Sequence, residues 1–189
     1  MIYFVSDTHF YHKNIIQYSK RPFSSVEEMN QKMIDNWNAI VKPTDTVWHL
    51  GDFAFCNYLL FAKLLSDLNG EKNVILGNHD KTIEENVTRL TSSGLLKSVQ
   101  HYKELKYNSQ FIVLLHYGMR VWNKSHHGSI MLYGHSHGSL PPWGKSVDVG
   151  VDCKEITSEY RPISIDEVIS YMDKKSVSVV DHHNRNTAK

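Results

Sequence analysis

Cysteine is nearly absent from this chain: there are two in 189 residues, Cys56 and Cys153. They stand apart, with no Cys-x-x-Cys pair, which excludes a disulfide framework or a thiolate zinc finger and points to a reducing compartment. Long apolar runs are absent too. No stretch approaches the ~18 residues that cross a bilayer, and Met1 to Val5 reads as a strand, not a signal-peptide core. The expected location is the cytoplasm, with no membrane partner. Net charge is also missing: 21 Lys and Arg against 20 Asp and Glu leave +1. That gives no basic footprint for a dedicated duplex nucleic-acid binder. Neither a repeat nor a linker interrupts the chain. Its 41% hydrophobic and 22% charged residues match an ordinary globular protein. One domain over residues 1–189 is expected, ending in a frayed polar tail at 181–189.

What the chain does have is histidine, twelve in all. Their placement carries more information than their number. Phe111 to Leu115 runs into His116-Tyr117-Gly118, and Ile130 to Tyr133 runs into Gly134-His135-Ser136-His137-Gly138. Short apolar runs bounded by Gly read as buried strands. The imidazoles therefore stand at strand ends, with Gly letting the backbone bend beside them. In an extended segment, residues two apart point the same way, so His135 and His137 are expected to aim at one site, as are Asp7 and His9.

Read in order, the chain alternates strands with helices, an α/β pattern. Ile2 to Val5 is a strand leading into Ser6-Asp7-Thr8-His9. Phe10 to Pro22 reads as an irregular loop with His12, Lys13, Asn14 and Arg21 as polar candidates. Ser25-x-x-Glu28 is a capping box opening a helix that Pro43 ends. Thr46 to Leu50 delivers Gly51-Asp52, and Asn73 to Leu76 delivers Gly77-Asn78-His79-Asp80. Between these two strands, a helix over Tyr58 to Leu68 turns a leucine face inward. Beyond them a helix is expected over Thr82 to Leu90, then one strand over Leu95 to Leu105 turning into the next at Tyr107-Asn108-Ser109. Ser146 to Val151 alternates as a strand. Ser164-x-x-Glu167 caps a last helix, and Ser176 to Val180 reads as a closing strand.

Five strand ends thus present Asp7 and His9, Asp52, Asn78 and His79, His116, and His135 and His137. Strand ends on one edge of an α/β sheet converge on a common crevice. Carboxylate, imidazole and amide oxygen donors suit Mn, Fe, Ni, Co or Zn, with Mn preferred here. Seven donors exceed one tetrahedral ion and suit two divalent ions sharing a bridge. Such a pair lowers the pKa of a bridging water to roughly 7 and clamps the oxygens of an in-line phosphoryl displacement. The bridging hydroxide would be the nucleophile. His79, beside Asn78 and pointing the other way, is the natural general acid or transition-state donor.

Ser6-Asp7-Thr8-His9, Gly51-Asp52, Gly77-Asn78-His79-Asp80, His116 and Gly134-His135-Ser136-His137 resemble, in order and spacing over residues 1–152, the five blocks of the calcineurin-like metallophosphoesterase superfamily. The longer strings Asp7 to His12, Met119 to Gly128 and Arg161-Pro162-Ile163 resemble its small single-domain bacterial and phage members. The resemblance implies a two-sheet β-sandwich core flanked by helices, a four-layer αββα arrangement. It also implies one metal on Asp7, His9 and His137, a second on Asn78, His116 and His135, and Asp52 bridging. His79 takes the donor role, hydrogen-bonded by Asp80. Larger members carry cap domains that select substrates, and no cap is seen in this chain, which leaves specificity to its loops.

Other histidines read differently. His49, inside a strand between Trp48 and Leu50, reads as a satisfied core residue, His101 as a surface strand residue, and His182 and His183 as uninvolved. His12, Asn14, Arg120, His126 and His127 are candidates for substrate phosphate, Arg because its fork binds oxyanions in pairs. Trp122 and Trp143 read first as packing and second as stacking surfaces for a nucleobase. The expected partner is a small phosphoester, with a lean towards phosphodiesters, cyclic or nucleotide-derived. Two other readings stay open: a metal-retaining interaction scaffold with little catalysis, and a nuclease.

Overall fold

The computed structural model describes residues 1–156 and 159–180. The elements in chain order are β1 (Ile2–Val5), α1 (Ile15–Tyr18), α2 (Val26–Ile40), β2 (Thr46–His49), α3 (Tyr58–Asp67) and β3 (Glu71–Ile75). They continue with α4 (Lys81–Glu84), α5 (Val87–Ser92), β4 (Ser98–Gln100), β5 (Tyr102–Tyr107) and β6 (Gln110–Leu115). The last are β7 (Ile130–Tyr133), β8 (Ser146–Asp148), β9 (Ile163–Ser164) and α6 (Ile165–Met172). They form two sheets flanked by helices, one ordered β4-β3-β2-β1-β9 and the other β5-β6-β7-β8. β1 to β4 pair parallel, with β9 antiparallel at the edge. In the second sheet only β5 runs antiparallel to its neighbour.

The central strands are apolar on both faces because both faces are covered, whereas edge strand β5 is polar and has no buried residue. Phe4, Trp48, Ile75, Ile112, Leu114, Ile130 and Leu132 pack between the sheets, with Val168 and Met172 of α6. The alternate residues Val5, Val47 and Val74 turn outward against Met29, Met33 and Trp37 of α2 and Phe61, Leu64 and Leu65 of α3. On the second sheet, Val113, Met131 and Tyr133 pack with buried Trp122, contacted also by Met119 and Trp143. Both tryptophans therefore pack here, and the Trp122 indole donates to Ser129 O at 3.1 Å. No helix among the described residues is long and apolar enough to cross a membrane.

The sheets are stitched together beside the first Asp block. Ser6 N donates to Val149 O (3.2 Å) and Val151 N to Ser6 O (3.1 Å), so the segment after β8 leaves β7 and joins the end of β1. This is why the strand expected over Ser146 to Val151 stops at Asp148: the Asp148 carboxylate accepts from Gly150 N at 2.7 Å and Gly138 N at 2.9 Å, and bends the chain.

Several expectations change. The helix expected over Thr82 to Leu90 is two short ones, α4 and α5, parted where the Asn86 side chain donates to Thr82 O at 2.9 Å and competes with the backbone ladder. The strand expected over Leu95 to Leu105 is β4 in one sheet and β5 in the other, with exposed His101 at the bend between them. A change of sheet leaves no mark on hydrophobic alternation. Residues 176–180 form no strand; valine-rich alternation is a local preference, and a strand needs a sheet edge to pair with. The loop from Phe10 contains the single turn α1. The box at α6 closes fully, but at α2 only half forms: Glu28 N donates to Ser25 Oγ at 3.1 Å, while the Glu28 carboxylate reaches past it to Ser24 N at 2.7 Å. The polar tail at 181–189 and His182 and His183 lie outside the described residues.

Candidate metal centre

Two loops run side by side at the ends of β1 and β2. Asp7 N donates to Gly51 O (3.0 Å), His9 N to Asp52 O (3.1 Å) and Phe10 N to Phe53 O (2.9 Å). Beneath them, His49 is fully buried and satisfied as expected. Its Nδ1 accepts from Gly51 N at 3.2 Å and its Nε2 lies 2.9 Å from Thr8 Oγ1, which itself donates to Phe53 O. Burial holds that ring neutral, well below the ordinary imidazole range.

The donors do not stand on extended backbone. Asp7, His9, Asp52, His135 and His137 all have left-handed φ, between 49° and 66°, a conformation unusual for non-glycine residues and concentrated at functional sites. Extended-strand alternation is therefore not what aims these side chains. Asp7 and His9 do meet, through a tight loop, but His135 and His137 part. One group is Asp7, His9 and His137; the other is Asp52, His116 and His135, and within each the ligand atoms lie within 4.8 Å of one another. Asp52 faces both, with Oδ2 3.7 Å from His9 Nε2 and Oδ1 3.7 Å from His116 Nε2. Asn78 Oδ1 lies 3.1 Å from His116 Nε2 and 3.0 Å from His135 Nδ1. Glycine is required for this closeness: a Cβ on Gly134 would sit 2.0 Å from Ser6 Oγ and 2.4 Å from Asp7 Oδ2.

The donor set fits cations. Asp7 Oδ1 and both ring nitrogens of His9 are buried without a hydrogen-bond partner, and native proteins rarely leave such groups unsatisfied. Burial pushes the Asp7 carboxyl up to about 8 and, with neighbouring positive groups, pushes the His9 imidazole down to about 2. His116 Nδ1 lies 2.7 Å from Leu50 O, which can only accept, and burial lowers this ring's pKa. Its Nε2 then carries a lone pair aimed at the oxygens of Asn78 and Asp52. Lone pairs converging in this way call for positive charge.

Beyond the donors opens a cleft of about 750 Å³, bordered by His12, Ile15, Tyr18, Phe55, His79 and Ser136. His79 is exposed within it, 6.0 Å from the His9 ring and 5.1 Å from Phe55, while its backbone N donates to Asp52 Oδ1 at 2.9 Å. Asp80 does not reach that ring. Its carboxylate accepts from Asp52 N, Phe53 N and Gly77 N at 2.8–2.9 Å and ties the two Gly-Asp and Gly-Asn loops together. Of the five substrate-side candidates only His12 borders the cleft, stacked 4.0 Å over Phe55. Asn14 is exposed at the start of α1. Arg120 lies 3.4 Å over the Trp143 ring, and His126 and His127 pair at 4.0 Å in a short turn on the second sheet's outer side.

Two buried acids escaped the sequence reading. Asp148 and Asp152 fall in or just past an alternating strand, where acids normally face solvent. Asp152 instead accepts from Arg21 and lies 2.6 Å from His137 Nδ1. Burial works against it, yet this carboxylate holds His137 above the ordinary imidazole range. No local signal marks it; only the fold brings residues 21, 137 and 152 together.

Two sheets flanked by helices, with paired Asp/His groups gathered at the strand ends, give the architecture and donor chemistry of a metal-binding α/β protein. The chain belongs to the calcineurin-like phosphoesterase superfamily, whose domain matches residues 1–146. An uncharacterized protein of Methanocaldococcus jannaschii is 36% identical over 185 residues, 93% of each chain, so the likeness extends past the matched domain to β9 and α6. The Gene 66 protein of Mycobacterium phage L5 is 35% identical over 81 residues, 41% of this chain and 39% of its own, and so speaks for a part only. A solved structure of a protein of unknown function from Aquifex aeolicus covers 90% of this chain and 98% of its own, with a TM-score of 0.67 and 25% identity, and supports the same architecture throughout. Membership places the chain among the phosphoesterases, and its Asp/His groups are candidate sites for divalent metals.

Proposed function

We propose that one metallophosphoesterase domain over residues 1–189 hydrolyses a small phosphodiester or phosphomonoester with a pair of divalent ions. Asp7, His9 and His137 would hold one ion, Asn78, His116 and His135 the other, and Asp52 both. Mn is the proposed metal, because carboxylate and amide oxygens sit among the imidazoles, and Fe, Ni, Co and Zn are the alternatives. Such ions supply Lewis acidity, lowering the pKa of water and drawing charge from phosphoryl oxygens.

The chain's own residues do the rest. Buried Asp7 and Asp52 provide the negative charge that offsets the ions, and the left-handed loops pre-organise the donors. His79, free at the cleft wall, donates a proton or hydrogen bond to the departing oxygen, a role worth about 10²–10⁴ in rate. A cleft of about 750 Å³ bordered by Ile15, Tyr18 and Phe55 has room for an organic group beyond the phosphate, which favours a diester.

The carrying observation is the pair of orphaned buried atoms Asp7 Oδ1 and His9 Nε2, 3.9 Å apart, with Asp52 Oδ2 3.7 Å from the same nitrogen. The test is an assay of chelator-stripped protein on bis-p-nitrophenyl and p-nitrophenyl phosphate, with Mn²⁺ restored and His79→Ala alongside. Mn-dependent release that collapses in the variant is expected. Two bound ions without turnover for any of the five metals would overturn the enzyme reading and favour the scaffold.

A further inference from the structure

We infer that Arg21 and Asp152 are positioning residues that build one of the two ion positions and not the other, so that the two positions fill in order. The inference rests on the two-ion reading of the cleft.

The first group is held from behind by one guanidinium. Arg21 Nη2 donates to Asp7 O at 2.7 Å and Nη1 to Thr8 O at 2.8 Å, which pins the strained loop carrying Asp7 and His9. The other edge of the same group makes a paired contact with Asp152, Nε to Oδ1 at 2.9 Å and Nη2 to Oδ2 at 2.8 Å. Two parallel bonds to a planar fork fix the carboxylate in place as well as bind it. Asp152 Oδ2 then lies 2.6 Å from His137 Nδ1. A carboxylate bonded to both partners acts as acceptor only, so Nδ1 carries the proton and Nε2 presents its lone pair towards Asp7 Oδ1, 3.8 Å away. The side chains of Arg21 and Asp152 are 0% and 5% exposed, so water does not compete for these bonds. Asp7, His9 and His137 therefore all depend on one buried ion pair.

The second group has a carboxylate behind its loops, Asp80, which accepts from Asp52 N and Gly77 N, but none behind either of its histidines. His116 Nδ1 is held by a neutral carbonyl, Leu50 O at 2.7 Å. His135 is exposed, and its Nδ1 faces Asn78. Neither Arg21 nor Asp152 bonds to any residue of this group. A carboxylate behind a histidine fixes its tautomer and strengthens it as a ligand, and losing such a partner typically costs 10–100-fold in metal affinity. The Asp7–His9–His137 position is accordingly the tight one, filled first. The position of Asp52, His116, His135 and Asn78 is weaker and exchanges with solution.

The test is Mn²⁺ titration of the full chain after chelator treatment, followed by calorimetry and by the resonance signal of free Mn²⁺. Wild type should bind two ions in two classes. Asp152→Asn, nearly the same shape, should weaken the tight class about 10–100-fold and leave the weak class unchanged. Arg21→Lys, which keeps the charge but not the fork, should fall between. Removing one partner of a buried ion pair also costs stability, so a second measurement uses wild type alone. Ring ¹⁵N spectra with less than one equivalent of Zn²⁺ should shift His9 and His137 before His116 and His135. Two equal classes, equal weakening of both by Asp152→Asn, or simultaneous shifts of all four rings would overturn the inference and leave the two-ion reading standing. Failure of wild type to bind any ion would overturn both.

Discussion

Removing the ions should give the protein an unusual pH dependence of stability. In the ion-free fold, burial pushes the Asp7 carboxyl from an ordinary 3.8 up to about 8. Between those values the folded protein holds one proton that the unfolded chain has released, so each rising pH unit costs about 1.4 kcal/mol. Stability from this group is therefore complete below 3.8 and is lost as pH rises through 8. His9 works oppositely. Its ring, pushed from 6.5 down to about 2, refuses a proton that the unfolded chain accepts, so its stability is present above 6.5 and lost as pH falls. The two slopes cancel between about pH 4 and 6.5. Above 6.5 the Asp7 slope stands alone among these two, and His137, also raised, adds to it in the same direction. The ion-free protein should thus lose about 2 kcal/mol between pH 6.5 and 8, a large part of the 5–15 kcal/mol typical of a domain. With Mn²⁺ present, Asp7 is held anionic throughout and that slope vanishes. A free ion concentration a hundred times its Kd adds about 2.7 kcal/mol per site. Urea unfolding followed by tryptophan fluorescence, with chelator and with Mn²⁺, measures both effects. Ion-free protein as stable at pH 8 as at 6.5, or an identical slope with ions bound, would show that Asp7 does not hold a proton in the ion-free fold.

Other consequences can be checked separately. His79→Ala should cut kcat by about 10²–10⁴ while metal content stays at wild type, because the backbone N–H to Asp52 survives. Asp80→Asn keeps one acceptor oxygen but sets an amide donor against at least one of the three backbone N–H groups; a loss of about 1–3 kcal/mol is expected, read as a Tm lower by about 2–4 °C per kcal/mol. Gly134→Ala drives a methyl into Ser6 and Asp7, and bound metal measured by elemental analysis should fall below one equivalent even if the chain folds. Arg120→Ala and His127→Ala, away from the cleft, should leave kcat/KM within about twofold, as surface changes usually do; a tenfold drop would return that loop to the substrate site.

Much of the centre was legible from residue order. Gly-Asp, Gly-Asn-His-Asp and Gly-His-Ser-His after apolar runs announce donors at strand ends, and the continuous apolar runs themselves announce strands buried on both faces. The candidates that failed to gather, Asn14, Arg120, His126 and His127, were chosen by residue type in polar loops, and loop composition says nothing about which way a loop folds. Trp122 explains the outcome for the last three: its burial against Val113, Met131 and Tyr133 lays that loop over the second sheet, away from the cleft.

Residue order places these donors at strand ends and shows that their chemistry suits divalent metals, because apolar runs and glycine bends are local properties of the chain. The resemblance already implied how those residues are shared, but the physical reason lies in the three-dimensional fold. His135 and His137 are two positions apart yet serve different groups, because both take left-handed backbone in a loop squeezed against Ser6 and Asp7. Arg21, His137 and Asp152 lie far apart in sequence yet bond as one unit, because the segment after β8 crosses from one sheet to the other at Ser6. Such pairings depend on where two sheets meet, and nothing in local periodicity records that.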